Sequence, residues 1–502
     1  MSADDVDQGR VSVPELLSAA ARARPDEAAL VETESAATLT WAQFDKLANG
    51  QARRLIELGV QPGDRVALRL PTSADFAVLL FATLRAGGIA VPVSPQAPAP
   101  ELLQLLGHSG AKVLVEREPT EELPEGVVTF TPGTEQADAT GPSRGGEDIA
   151  VISYTSGTTG PPRGVMLSHR ALLANVKQLG ELSPPPLDET DRVLITIPLF
   201  HVYGLGPGLL QSVAVGATMV LTERFDARRA LADCAAHRVT SIAGVPTMYV
   251  EFAELPAEEL AEGLSTVRRL TSGAAPLHPK VLAAIRAGAG LDVFEGYGLT
   301  ECAPVVTTTL VTGYPKPGSV GRPLPGVELR LVDKDGNEES RELDDDELAY
   351  DEEGGDTGLV SIRGANLFSG YWPDGSHGPD EDGWFRTGDV GYLDVDGDLH
   401  LVDRANDLII VNGFNVYPHE VEDVIGELPD VVEAAVVGVV DERSGEAVKA
   451  VVVPAPGASL SEQQVLEHCA ARLARYKVPT TVEFATSLPH SATGKLRRLK
   501  LK

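Results

Sequence analysis

Alternation between two hydrophobic periods constrains this chain more than any other feature. Over the first 330 residues, short apolar runs at 65–70, 149–154, 193–197, 218–221, 241–245 and 291–294 read as strands. Between most of them lie stripes of helical spacing. Phe44, Leu47, Ala48, Leu55 and Leu58 form one that ends at Gly59; Phe76, Leu79, Leu80 and Leu84 form another, closed by Gly87-Gly88. Repeated strand–helix units build parallel sheets covered by helices. The expected fold class is therefore α/β: a large N-terminal domain of parallel-rich sheets flanked by helices. After Gly397 the texture changes. Residues 400–402 and 408–411 read as the strands of a hairpin, 418–425 as a helix opened by Pro418, 431–440 and 448–453 as Val-rich strands, and 461–473 as a helix capped by Ser461. This predicts a small α+β C-terminal domain, with boundaries at 1–403, 404–407 as a hinge, and 408–502. No internal repeat is present.

The 502 residues suffice for two to four domains and large cores. Hydrophobic content of 43% and charged content of 23% are globular values. The formal charge of 42 − 73 = −31 argues against nucleic acid or an anionic membrane surface as partner, since both need a cationic footprint. Cys234, Cys302 and Cys469 are far apart and form no CxxC, which fits a reducing, cytoplasmic setting. Residues 1–10 carry Asp4, Asp5 and Asp7 and no apolar run, so no secretory signal is expected. The most apolar stretch, 205–221, is broken by Pro207, Gly208, Gln211, Ser212 and Gly216, so no integral membrane segment is expected. Residues 333–356 hold 13 acidic and two basic residues and read as a solvated surface loop.

Four segments carry chemistry. Tyr154-Thr155-Ser156-Gly157-Thr158-Thr159-Gly160-Pro161-Pro162-Arg163-Gly164 follows an apolar strand and precedes a helix with Ser168 as N-cap. Its glycines let several N–H groups converge, its hydroxyls add donors, and Arg163 adds charge, which suits a polyphosphate; alone, TSGTTG also reads as an ordinary Gly/Ser/Thr loop. It is not a Walker A loop, and no GxGxxG follows a strand elsewhere. Glu295-Gly296-Tyr297-Gly298-Leu299-Thr300-Glu301, after the strand at 291–294, offers a ring to stack a base, a hydroxyl, and a carboxylate for Mg²⁺; alone, it reads equally well as a strand-end turn. Gly383-Trp384-Phe385-Arg386-Thr387-Gly388-Asp389, with Asp403-Arg404 beyond, offers a carboxylate for a ribose diol, or a plain tight turn. Ser491-Ala492-Thr493-Gly494-Lys495 places a lysine on a flexible loop, or is simply part of a basic tail.

Together these segments, in this order, resemble the adenylate-forming superfamily of acyl-CoA synthetases, peptide-synthetase adenylation domains and luciferases. The resemblance spans nearly the whole chain. Pro198-Leu199-Phe200-His201, Cys302-Ala303-Pro304 and residues 407–418 point to the acyl-CoA synthetase branch, nearest the bacterial fatty-acid–CoA ligases. It implies a distorted β-barrel subdomain, a mobile C-terminal domain, and two half-reactions. A carboxylic acid, first of all a medium- or long-chain fatty acid, attacks ATP to give acyl-AMP and pyrophosphate; CoA then takes the acyl group. Alternatives are an aryl, cinnamate-type or short dicarboxylic acid, or a carrier protein as acceptor in place of CoA. A catalytically inactive binding module is the rival from another class. The resemblance assigns Lys495 to the charge between acid and α-phosphate, and Thr155, Ser156, Gly157, Thr158, Thr159 and Arg163 to the β- and γ-phosphates. It assigns Thr300 to the α-phosphate, Glu301 to Mg²⁺, and Tyr297 with Gly273, Ala274 and Ala275 to adenine. Asp389 and Arg404 fall to the ribose, His201 to the mouth of the acyl pocket, Gly413 and Phe414 to the pantetheine tunnel, and Asn406 to the hinge. Arg163 stands where the family usually has Lys, and Asn406 where it usually has Asp or Lys. Gly204, Gly206, Gly208, Gly273 and Gly298 suggest room for a long acyl tail. A homodimer is compatible with the chain but not required by it.

Overall fold

Local side chains set where helices begin. Helix Trp41–Glu57 starts at Thr40, whose hydroxyl accepts from the Gln43 N–H at 3.2 Å while Gln43 Oε1 accepts from the Thr40 N–H at 2.8 Å. The reciprocal cap satisfies two amides that the first turn leaves open. Ser73 caps Ala74–Arg85, and Ser168 caps His169–Gly180 as expected. The apolar stripe Trp41, Phe44, Ala48, Ala52 and Leu55 then buries itself, with Phe44 edge-on to Phe81 at 5.6 Å. Burying a ring of this size contributes roughly 1.5–3 kcal/mol.

The computed structural model describes residues 12–120, 122–138, 144–155, 163–333, 336, 357–404, 409–411, 414–441, 445–473, 475–490 and 496–501. The chain divides into two units: Met1–Glu328 with Arg363–Phe385, and Leu329–Ile362 with Arg386–Lys502. Most of the acidic stretch 333–356 lies outside the described residues.

In the first unit, a nine-stranded sheet runs in the order Arg322–Pro323, Val305–Thr308, Val293–Gly298, Arg269–Ser272, Ser241–Gly244, Arg192–Ile195, Thr218–Leu221, Ala28–Glu32, Thr38–Thr40. Its inner pairs are parallel and its edges antiparallel. A six-stranded sheet runs Val128–Phe130, Ala111–Val115, Arg65–Leu68, Ile89–Pro92, Ile149–Thr155, Arg163–Ser168, parallel until its last pair. Parallel strands buried on both faces suit the continuous apolar runs of the sequence. The expected α/β class with helix-flanked sheets is what the chain adopts. A half-barrel sheet is present where the resemblance implies a barrel.

In the second unit, residues 389–393 of the strand Trp384–Leu393 pair antiparallel with Leu399–Arg404. Ile409–Val411, Phe414–Val416, Gly445–Pro454, Val431–Asp441 and Thr481–Phe484 form another sheet. Helices Pro418–Gly426 and Glu462–Ala470 pack with it, the latter capped by Ser461 and Gln464. The hairpin expected between 400–402 and 408–411 does not form: these strands enter different sheets. The hairpin turn lies earlier. Asp394 Oδ1 accepts from the N–H groups of Asp396 and Asp398 at 3.0 Å, and Gly397 takes φ 83°. That Asp-Gly chemistry closes 399–404 onto 384–393 instead.

Candidate active site

The polyphosphate segment sits between two strands rather than between a strand and a helix. Arg163–Ser168 is a strand the sequence reading missed, antiparallel to Ile149–Thr155, and it places Arg163 directly opposite Thr155. Both ends of the loop are thereby fixed; Ser156, Gly157, Thr158 and Thr159 lie outside the described residues. Gly164 is required by packing, since a Cβ there would come within 2.8 Å of Ile152 and 3.1 Å of Trp372. The new strand is buttressed by residues 369–372. The Met166 N–H donates to Gly370 O (3.1 Å), Ser369 N–H to Met166 O (2.9 Å) and Trp372 N–H to Gly164 O (2.7 Å).

Glu295 to Gly298 belong to the strand Val293–Gly298 rather than following it, and Thr300–Cys302 form a single 3₁₀ turn just beyond. Thr300 and Glu301 are thus carried at a strand end. Phe368 N–H donates to Glu301 O at 2.9 Å, and the Tyr371 hydroxyl donates to Glu301 Oε1 at 2.7 Å. The Arg163 guanidinium lies 5.4 Å from the centroid of the same Tyr371 ring. The fold therefore brings Thr155, Arg163, Thr300 and Glu301 to one locus, with Tyr371 between the cation and the carboxylate. Tyr371 was not legible as a site residue; Gly370-Tyr371-Trp372 is only a weak signal.

Tyr297 is buried and pairs across the sheet with Thr307. The neighbouring strand Arg269–Ser272 runs into Gly273, Ala274 and Ala275, and Ala274 adopts φ 73°, rare without a glycine. Glu295 holds this loop: its Oε1 accepts from the Leu277 N–H at 3.1 Å. Burial pushes the Glu295 carboxyl up to about 7, against the opposing pull of that bond. Glu295 is a second contributor that sequence reading did not single out.

His201 follows the turn at Pro198, to whose carbonyl its N–H donates at 3.0 Å. Its Nδ1 accepts from the Tyr203 N–H at 3.2 Å, so the neutral ring carries its proton on Nε2. Next comes a π-helix, Gly204–Leu210, with Pro207 inside; such turns collect at functional sites. Four of the five glycines expected to make room do not; only Gly208, whose Cβ would meet Ile195 at 3.6 Å, has ordinary contact distance. A Cβ on Gly204 would lie 2.4 Å from Pro198 O, on Gly206 2.7 Å from Pro304, and on Gly298 2.1 Å from Pro304 O. A Cβ on Gly273 would meet the Tyr203 ring at 3.2 Å. They are close-packing residues. Tyr203 fills the space beside Gly273, with its hydroxyl 3.4 Å from Thr271 Oγ1, and desolvation pushes that phenol up to about 12.

In the second unit, Asp389 is buried within a strand rather than on a turn. Its N–H donates to Thr387 Oγ1 at 3.1 Å, and it stands opposite Arg404 in the register. Phe414 begins a short strand paired with Val411. Asn406, Gly413 and Lys495 lie outside the described residues.

Glu301 suits Mg²⁺ by chemistry, being a hard carboxylate that follows a threonine in the turn Thr300–Cys302. Among the described residues no basic side chain forms an ion pair with it, and its Oε1 accepts from the Tyr371 hydroxyl.

The AMP-binding enzyme family model matches residues 17–372, and its C-terminal domain model matches residues 420–495. A feruloyl-CoA synthase of Amycolatopsis sp is 37% identical, covering 95% of this chain and 96% of the relative. A long-chain-fatty-acid–CoA ligase of Mycobacterium tuberculosis is 34% identical, covering 94% of each. The ATP-bound structure of MatB from Rhodopseudomonas palustris superposes with a TM-score of 0.87 at 32% identity, over 98% of each chain. The chain belongs to the AMP-binding enzymes, the adenylate-forming superfamily, and within it is an AMP-forming acyl-CoA synthetase. Among the described residues, no helix is long and apolar enough to cross a membrane.

Proposed function

We propose that this enzyme activates a compact aromatic acid of the hydroxycinnamate type as acyl-AMP and transfers it to CoA. The supporting observation is Tyr203. Its ring packs over Gly273, and it carries a part-buried hydroxyl beside Thr271 that can meet a phenolic oxygen. The feruloyl-CoA synthase relative accords with this reading. A medium- or long-chain fatty acid is the second reading, favoured by the apolar turn Gly204–Leu210 and by the fatty-acid ligase relative.

In the first half-reaction two anions must meet. Lys495 neutralises charge between the acid and the α-phosphate as the bond forms. The loop 155–159 and Arg163 hold the outer phosphates, Thr300 touches the α-phosphate, and Glu301 would hold Mg²⁺, which when bound would spread the phosphate charge. Tyr297 stacks on adenine against Gly273, Ala274 and Ala275, while Asp389 and Arg404 grip the ribose. In the second half-reaction the thiol of CoA attacks the acyl carbon and AMP leaves; His201 borders its path, and Gly413 and Phe414 line the tunnel.

ATP–pyrophosphate exchange across coumarate, ferulate, octanoate, palmitate and malonate tests the acid. Ferulate or coumarate should show the highest kcat/KM, and Tyr203→Ala should shift preference about tenfold toward longer acids. A wild-type preference that climbs steadily to palmitate, at roughly 0.8 kcal/mol per CH₂, would favour the fatty-acid reading.

A further inference from the structure

We propose that Tyr371 is a positioning residue that sets the Glu301 carboxylate for the divalent cation accompanying ATP and seats the Arg163 guanidinium for the phosphates. This rests on the reading that Glu301 holds that cation. The segment carrying Tyr371 grips Glu301 twice, through Phe368 N–H to its carbonyl and through the phenol to Oε1 at 2.7 Å. A carboxylate has about four lone-pair sites. One bond to Oε1 fixes its rotamer and leaves Oε2 for a metal. Hydrogen bonds of this kind orient metal-binding carboxylates, and losing one typically costs 10–100-fold in metal affinity.

Tyr371 is itself held firmly. It bridges to Val165, its N–H donates to Ser376 O at 3.0 Å, and its ring meets Phe368 edge-on at 5.1 Å. The opposite partner explains the departure at position 163. A planar guanidinium can lie against a ring at 5.4 Å, and a lysine ammonium, a compact and strongly hydrated charge, is less suited to it. Arg163 and Tyr371 thus work as a pair, linking the phosphate loop to the metal carboxylate through one phenol.

Mn²⁺ binding, followed by electron paramagnetic resonance with α,β-methylene-ATP present, tests the proposal. Tyr371→Phe keeps the ring and loses the hydroxyl. It should weaken Mn²⁺ about tenfold while metal-free binding of the analogue in EDTA changes less than twofold. Excess Mg²⁺ should restore its adenylation rate. Tyr371→Leu, which also unseats Arg163, should weaken the metal-free analogue as well. Mn²⁺ affinity of Tyr371→Phe within twofold of wild type would overturn the proposal. Glu301→Gln separates it from its premise. If Glu301→Gln weakens Mn²⁺ and Tyr371→Phe does not, Tyr371 alone is misassigned. If Glu301→Gln leaves Mn²⁺ unchanged, the role of Glu301 falls and the proposal falls with it.

Discussion

Glu295 shows how a single buried group couples the site to stability. It is 6% exposed, and its carboxyl is pushed up to about 7 from an ordinary 4.5. The folded state thus holds a proton that the unfolded state releases. Stability from this group is fully present below about pH 4.5 and is lost as pH rises through about 7, a change on the order of 3 kcal/mol. Glu295→Gln keeps an oxygen to accept from Leu277 N–H and cannot ionise. Thermal melts should show the variant losing less stability than wild type across this window and more stable than wild type above pH 7; parallel curves would contradict the burial argument. Residues of this kind are hard to read in advance. Glu301 stood out because a carboxylate after Tyr-Gly-Leu-Thr has recognisable company. Glu295 matters through its packing against a loop 18 residues away, and Tyr371 through a hydroxyl 70 positions from its acceptor.

Elements were legible wherever their signals were local. Ser168 and Ser461 cap helices as their sequence positions suggest, because a cap depends on the next three residues alone. Strand Arg163–Ser168 was hidden because it exists through pairing with Ile149–Thr155 and residues 369–372. The misassigned hairpin has the same cause: adjacency in sequence did not reveal that 399–404 and 409–411 face different partners. Gly204, Gly206, Gly273 and Gly298 looked like space and are contact points. Gly204→Ala, whose Cβ would lie 2.4 Å from Pro198 O, should destabilise by about 1–3 kcal/mol and impair acid activation. Gly208→Ala, whose Cβ would meet Ile195 at 3.6 Å, should be nearly neutral. Denaturant midpoints of the two variants check this; equal effects would contradict the packing account.

For the whole molecule, the α/β class and its order of motifs were readable, because sheets covered by helices impose their period on hundreds of residues. The proposed hinge at 404–407 rests on the resemblance and on the flanking strands entering different sheets. If the C-terminal domain must turn between half-reactions, Asn406→Pro should leave acyl-AMP formation within about threefold and slow thioester formation at least tenfold; proline removes the freedom of φ. Pyrophosphate release and thioester yield, measured separately, check this, and equal loss of both would argue against a hinge. The central claim is that the acid's own oxygen attacks the α-phosphate of ATP. Supplying the preferred acid with oxygen-18 in its carboxylate, together with CoA, tests it most directly. One labelled oxygen should appear in AMP and none in pyrophosphate. Label in inorganic phosphate with ADP as the nucleotide product, or unlabelled AMP beside formed thioester, would contradict the account.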